Sequence, residues 1–203
     1  NRLMDEEKEC IGIFGGSFNP VHNGHLMLAS YLAQWGYVDE VWLTLSPRNP
    51  LKDPSRLLPD MKRLQMLNIA LKGATGLEIC DIELSMPRPS YTIDTLDLLS
   101  QRYPRKQFKL VIGSDNWQTF DSWRDYQRIL DDYGVIVYPR PGFPVENPNA
   151  DGIEVVEAPM VNLSSTFVRD AIARGKDLSF FVPQAVSKYI RENGLYQIKS
   201  SKK

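Results

Sequence analysis

The chain predicts an α/β fold, a doubly wound parallel sheet with helices on both faces. Three observations carry that prediction. Short apolar runs alternate along the chain with longer amphipathic stretches. The apolar runs lack inside–outside alternation, the pattern of strands buried on both sides, as in a parallel sheet. The length of 203 residues, 42% hydrophobic and 24% charged, suits one α/β domain with a core that needs no disulfides.

Taken in order, residues 11–14 read as a first strand that runs at once into Gly15 and Gly16. From 22 to 35 apolar residues recur at helical spacing (Leu28, Leu32 and Trp35, with Leu26, Ala29 and Ala33), and Gly36 stops the helix. Residues 41–45 form a second strand with Thr44 as its only polar member. Residues 60–71 read as a helix with Asp60 as N-cap and Met61, Leu64, Leu67 and Leu71 on one stripe. A strand over 77–84, a helix over 92–103 ending before Pro104, and a strand over 108–112 followed by Gly113 come next. Then follow a short helix at 125–131 and strands at 134–138 and 153–157. Two helices close the chain: 165–174, and one with Pro183 in its first turn and Gly194 after its end. The final KSSKK is a solvated tail. The Pro- and Gly-rich stretch 139–151 is flanked too closely to divide domains, so the reading is one domain over 1–203 with a small helical C-terminal part from about 164.

Composition excludes several classes of function. Lys plus Arg, 24, nearly balances Asp plus Glu, 25, which gives no reason to expect nucleic acid or a membrane surface as partner. No apolar run approaches the ~18 residues of a membrane helix, and the polar start is no signal peptide, so a soluble cytoplasmic protein is expected. Cys10 and Cys80 sit beside strand-like stretches and read as small buried hydrophobes. With two histidines and no CxxC, no metal site held by the chain is expected. Both histidines, His22 and His25, fall in one four-residue stretch, which confines imidazole chemistry to one place.

That place follows the first strand: Gly15-Gly16-Ser17-Phe18-Asn19-Pro20-Val21-His22-Asn23-Gly24-His25. Paired glycines let the backbone approach a ligand with no Cβ in the way. The stretch is neither GxGxxG nor GxxxxGK[ST], which argues against a dehydrogenase fingerprint and a P-loop. Two imidazoles at i and i+3 share a helix face above a partial positive charge and free N–H groups, a suitable setting for phosphate oxygens. Gly24 is expected to remove a side chain that would block a nucleotide. A structural cap remains an alternative for each histidine. Core packing remains one for Trp123, and helix capping one for Ser164, Ser165 and Asp115.

The stretch resembles the GG-S/T-F-D/N-P…HxGH signature of the nucleotidylyltransferase superfamily. Ser164-Ser165-Thr166-Phe167-Val168-Arg169 looks like the same family's SST-x-x-R motif. Ser90-Tyr91-Thr92-Ile93-Asp94-Thr95-Leu96, Ile112-Gly113-Ser114-Asp115 followed by Trp123, and Arg140-Pro141-Gly142 resemble segments of bacterial nicotinate-nucleotide adenylyltransferases. The resemblance runs from about Ile11 to Tyr196 and implies a Rossmann-like sheet of nucleotidylyltransferase type. Three departures stand out: Asn19 where Asp is commoner, Leu51 where the family usually shows His, and a shortened stretch before Pro50.

The resemblance implies transfer of the adenylyl group of ATP to nicotinate mononucleotide, giving nicotinate adenine dinucleotide and pyrophosphate, with Mg²⁺ held through the ATP phosphates. It implies catalytic roles for His22, His25 and Arg169. The ATP side would comprise Gly15, Gly16, Ser17, Phe18, Gly24, Gly113, Asp115, Ser165 and Thr166. The mononucleotide side would comprise Lys52, Tyr91, Thr92, Trp123 and Arg140, with Trp123 stacking on the pyridine. Other readings stay open at this point: a related transferase using nicotinamide mononucleotide or phosphopantetheine, or a non-catalytic nucleotide sensor.

Overall fold

In the computed structural model, the chain is described over residues 7–48 and 57–197. Lys52 and the closing KSSKK therefore lie outside the described residues. Six strands form one wholly parallel sheet: β1 (Glu9–Gly16), β2 (Glu40–Leu45), β3 (Leu77–Cys80), β4 (Lys106–Gly113), β5 (Val135–Tyr138) and β6 (Ile153–Val155), in the order β3-β2-β1-β4-β5-β6. The chain winds outward from β1 through β2 to β3, then crosses back to β4. The reversal between β1 and β4 is where such sheets open a crevice at their carboxyl ends.

Strand period two divides the core. Ile11 and Ile13, Trp42, Phe108, Leu110 and Ile112, and Val135 and Val137 point to one face. There they meet α3 (Thr92–Arg102) through Ile93, Leu96 and Leu99, and α5 (Tyr126–Asp132) through Ile129. Phe14, Val41, Leu43, Leu45, Val111 and Ile136 point to the other. That face is covered by α1 (Asn23–Gln34), α2 (Asp60–Leu71), α6 (Ser165–Ala173) and α7 (Gln184–Glu192). The short α4 (Ser114–Gln118) follows β4 directly. The doubly wound expectation thus holds, with the C-terminal helices on the α1 side.

Four details differ from the sequence reading. The strand expected over 77–84 stops at Cys80. Ile82 and Leu84 stay apolar because a single 3-10 turn, Ile82–Ser85, carries them to the two cores. Asp60 is not a cap: Pro59 holds the N-cap position, and the Asp60 carboxylate instead accepts from Arg48 N–H at 2.8 Å and from Arg63. Met61 is exposed, and the buried face of α2 runs through Arg63, Met66, Leu67 and Leu71. Trp35 ends α1 in solvent, stacked on Tyr31 at 4.7 Å. Cys80 is buried and Cys10 half-buried, both as free thiols whose pKa burial pushes up.

Candidate active site

His22 and His25 form a capping box at the start of α1. Nδ1 of His22, the N-cap residue, accepts from the backbone N–H of Gly24 at 3.0 Å and of His25 at 3.4 Å. Nδ1 of His25 in turn accepts from the backbone N–H of His22 at 3.1 Å. The rings stack, with centroids 3.7 Å apart and planes 21° apart. A neutral imidazole whose Nδ1 accepts carries its proton on Nε2. Each ring therefore spends one nitrogen on the fold and keeps an N–H for a ligand. The structural and chemical readings of these histidines are compatible.

Both rings are held neutral. Burial first, then the nearby positive charge of Arg140, lowers the His22 pKa to about 4. Burial, the neighbouring His22 and Arg140 hold His25 well below the usual imidazole range. Edge contacts from Phe14 and Phe18, at centroid distances of 6.0 and 5.0 Å, wall His25 on its apolar side.

The glycines have separable reasons. A Cβ at Gly24 would stand 2.9 Å from both Cε1 and Nδ1 of His22, so Gly24 first makes room for the cap itself. This is a reason beside the expected one, that it clears space for a nucleotide. Gly16 lies under the Phe18 ring, where a Cβ would come to 3.3 Å. At Gly15 the nearest protein atom to such a Cβ is 4.0 Å away, which leaves that approach open. Gly113 is closed on both sides, by the Asp115 carboxylate folded back over it and by Arg140, whose Cγ would sit 2.9 Å from a Cβ there.

A cavity of about 190 Å³ opens at the carboxyl ends of the strands. Gly15 and Gly16 wall it on the β1 side and Gly113 and Asn116 on the β4 side, and Thr92 and Trp123 also line it. Thr92 opens α3, whose N-cap residue Tyr91 makes no side-chain capping bond and lies under the Arg124 guanidinium at 3.7 Å. Trp123 is half-buried: one side packs on Phe120 at 5.1 Å and the other borders the cavity. Glu83 also borders it, with its carboxyl pKa raised by burial. Sequence reasoning missed Glu83 and Asn116, which carry no local pattern of their own.

The start of α6 reaches the same loop from the far end of the chain. Ser164 caps the helix, accepting from Phe167 N–H at 3.1 Å. Ser165 Oγ donates to Pro20 O at 2.9 Å, and Arg169 donates to Asn19 O at 2.9 Å and to Thr166 Oγ1 at 3.2 Å. Tyr196, also missed from sequence, donates its hydroxyl to Asn19 Oδ1 at 2.6 Å. The structure thus joins the α6 motif to the histidine loop through backbone carbonyls, while Thr92 and Trp123 border the cavity and Tyr91 precedes Thr92 as the N-cap residue of α3. Arg140 stands with the histidines: its charge acts on both rings, and its backbone N–H donates to Ser114 Oγ at 2.7 Å.

The cytidylyltransferase-like family profile matches residues 13–171. A Bacteroides fragilis protein recorded as "Probable nicotinate-nucleotide adenylyltransferase" is 47% identical over 184 residues, covering 90% of this chain and 92% of its own. The chain belongs to the nicotinate-nucleotide adenylyltransferase family. A Bacteroides thetaiotaomicron member with the same recorded name is 45% identical, covering 94% of this chain and 95% of its own. The family fold extends to distant structures. Plasmodium falciparum nicotinic acid mononucleotide adenylyltransferase complexed with APC superposes with a TM-score of 0.76 at 19% identity, covering 93% of this chain and 97% of that one.

Proposed function

We propose that this chain transfers the adenylyl group of ATP to nicotinate mononucleotide, releasing pyrophosphate and forming nicotinate adenine dinucleotide, a step of NAD biosynthesis. The observation that carries the mechanism is the histidine capping box. It presents two neutral Nε2–H donors from a fixed frame beside a glycine-lined cleft.

The reaction joins two anions. An oxygen of the mononucleotide 5′-phosphate attacks the α-phosphorus of ATP, and the bond from that phosphorus to the bridging α–β oxygen breaks as pyrophosphate leaves. The nucleophile is already ionised, so no general base is needed. The task is in-line positioning and charge stabilisation by groups that need no rearrangement. His22 and His25 donate from Nε2 to α-phosphate oxygens, and the open approach at Gly15 lets the main chain come near the same group. Arg140 adds positive charge on that side. Ser165, Thr166 and Arg169, at the start of a nine-residue helix, suit the β- and γ-phosphates, with Arg169 exchanging its bond to Asn19 O for phosphate. Asp115 accepts from the ribose of ATP. At the other end, the first-turn N–H groups of α3 at Thr92 meet the ring carboxylate and Trp123 stacks on the pyridine, with Tyr91 alongside.

Mg²⁺ would enter with ATP and neutralise phosphate charge. Among the described residues no three His, Cys, Asp or Glu side chains converge as a metal site. No helix among the described residues is long and apolar enough to cross a membrane. A cytoplasmic place of action and a single domain are parts of the same proposal.

The test is pyrophosphate release from ATP with nicotinate mononucleotide, nicotinamide mononucleotide and phosphopantetheine as acceptors. Turnover is expected with the nicotinate form, at a higher kcat/KM than with the amide. His25→Ala is expected to lower kcat by ~100-fold, the scale of losing one oriented donor, and, because His25 Nδ1 also closes the capping box, to cost about 1 kcal/mol of stability. Wild-type turnover in that variant at saturating ATP would sink the assignment of His25, and silence with every acceptor would favour a sensor.

A further inference from the structure

Arg63 heads the fully buried side chains by volume, at 0% exposure, on a helix whose other buried residues are apolar. A buried guanidinium is costly against an apolar residue of similar size unless its donors are used. Here they are. Nε donates to Leu58 O at 2.9 Å, Nη1 to Ser17 O at 2.7 Å and to Ser46 O at 2.9 Å, and Nη2 to Asp60 Oδ1 at 2.6 Å. Asp60 extends the network by accepting from Arg48 N–H at 2.8 Å and from Arg88 at 3.3 Å. Arg88 closes it with a 3.2 Å bond to Arg48 O.

These partners lie on three different loops. Ser17 follows β1 in the glycine loop beside the histidines. Ser46 and Arg48 follow β2, and Ser46 N–H is itself bonded to Gly16 O at 2.9 Å. Arg88 precedes α3, whose first residue borders the cleft. One guanidinium and one carboxylate therefore tie together the loops that would carry the two reacting phosphates.

We infer that the Asp60–Arg63 pair is a positioning device for the transfer step, fixing the distance between the phosphate-binding loop after β1 and the acceptor-side loops after β2 and before α3. The inference rests on the adenylyl-transfer reading. Arg63 itself touches backbone carbonyls and Asp60, so it acts through the loops. Lysine cannot replace it: a single ammonium lacks the planar fork that reaches four acceptors in three directions.

The experiment compares Arg63→Lys with Met66→Ala, a cavity on the same buried face of α2. Thermal midpoint, kcat and both KM values are read for each, with ATP and nicotinate mononucleotide. Arg63→Lys is expected to lose ~10- to 100-fold in kcat, as a misplacement of about 1 Å does, with the KM for ATP within about threefold of wild type. Met66→Ala is expected to lose stability and keep kcat within about threefold. A kcat near wild type in Arg63→Lys, or an equal kcat loss in Met66→Ala, overturns the inference. Should Arg63→Lys fail to fold, Arg88→Gln decides, at a position 42% exposed. It is expected to raise the KM for the mononucleotide about fivefold and leave that for ATP unchanged; an unchanged mononucleotide KM overturns the inference. Wild type that is silent with nicotinate mononucleotide but active with another acceptor overturns only the acceptor, and the same comparison is made with that acceptor. Silence with all of them overturns both.

Discussion

Gly24→Ala isolates the geometry of the histidine pair from the stability of the fold. The added methyl would stand 2.9 Å from Cε1 and Nδ1 of His22. Ordinary contact lies at about 3.5–4.0 Å, so the ring must retreat by roughly 0.6–1 Å. That movement stretches the 3.0 Å bond from Gly24 N–H beyond hydrogen-bonding range and takes the stacked His25 ring with it. Losing the cap costs about 1 kcal/mol, and replacing glycine by alanine in a helix returns up to about the same. The two nearly cancel. Displacement of a catalytic group by ~1 Å costs on the order of 100-fold in rate. The expectation is therefore a thermal midpoint close to wild type with kcat reduced ~30- to 100-fold, measured by pyrophosphate release at saturating substrates. A kcat within about threefold of wild type would refute the view that Gly24 serves the His22 ring. So would a rate loss that merely follows a loss of stability.

Two further outcomes are expected. His22 is neutral in the fold, with a pKa of about 4 against 6.5 when unfolded, so the unfolded chain binds the extra proton between those values. Its contribution is fully present above pH 6.5 and is lost as pH falls toward 4, about 3 kcal/mol in all, with His25 acting in the same direction. Denaturant titrations at pH 7 and 4.5 should show this loss, and His22→Asn, which can still cap, should flatten it. An unchanged slope in the variant would assign the acid sensitivity elsewhere. Tyr196→Phe removes the 2.6 Å bond to Asn19 Oδ1 and is expected to cost about 1–2 kcal/mol of stability while retaining most of kcat. A destabilisation below about 0.3 kcal/mol would show that this bond does not anchor the C-terminal segment.

The sheet was legible because its strands are buried on both faces, so runs such as that around Ile11 and Ile13 need no partner to be recognised. Where the chain leaves the sheet without leaving the core, as at Ile82, hydrophobicity alone cannot mark the exit. The five-residue α4 is too short to show a period. In the site, the glycine and histidine stretch and the α6 motif are local in sequence and could be read there. Arg63 could not: a charge on a helix reads as solvated, and two of the three carbonyls that take its donors belong to loops 17 and 46 residues away. Tyr196 escaped for the same reason, being separated from Asn19 by 177 residues.

The docking of α6 on the histidine loop is written in main-chain oxygens. Arg169 and Ser165 take the carbonyls of Asn19 and Pro20, just as Arg63 takes those of Leu58, Ser17 and Ser46. Such a frame depends little on which side chains decorate the loop, Asn19 excepted, whose Oδ1 takes the Tyr196 hydroxyl. It is instead sensitive to length. Inserting or deleting one residue between Gly16 and Val21 would carry every one of that loop's oxygens away from its donor at once. Drift in this part of the molecule is thereby channelled into substitution and closed to indels.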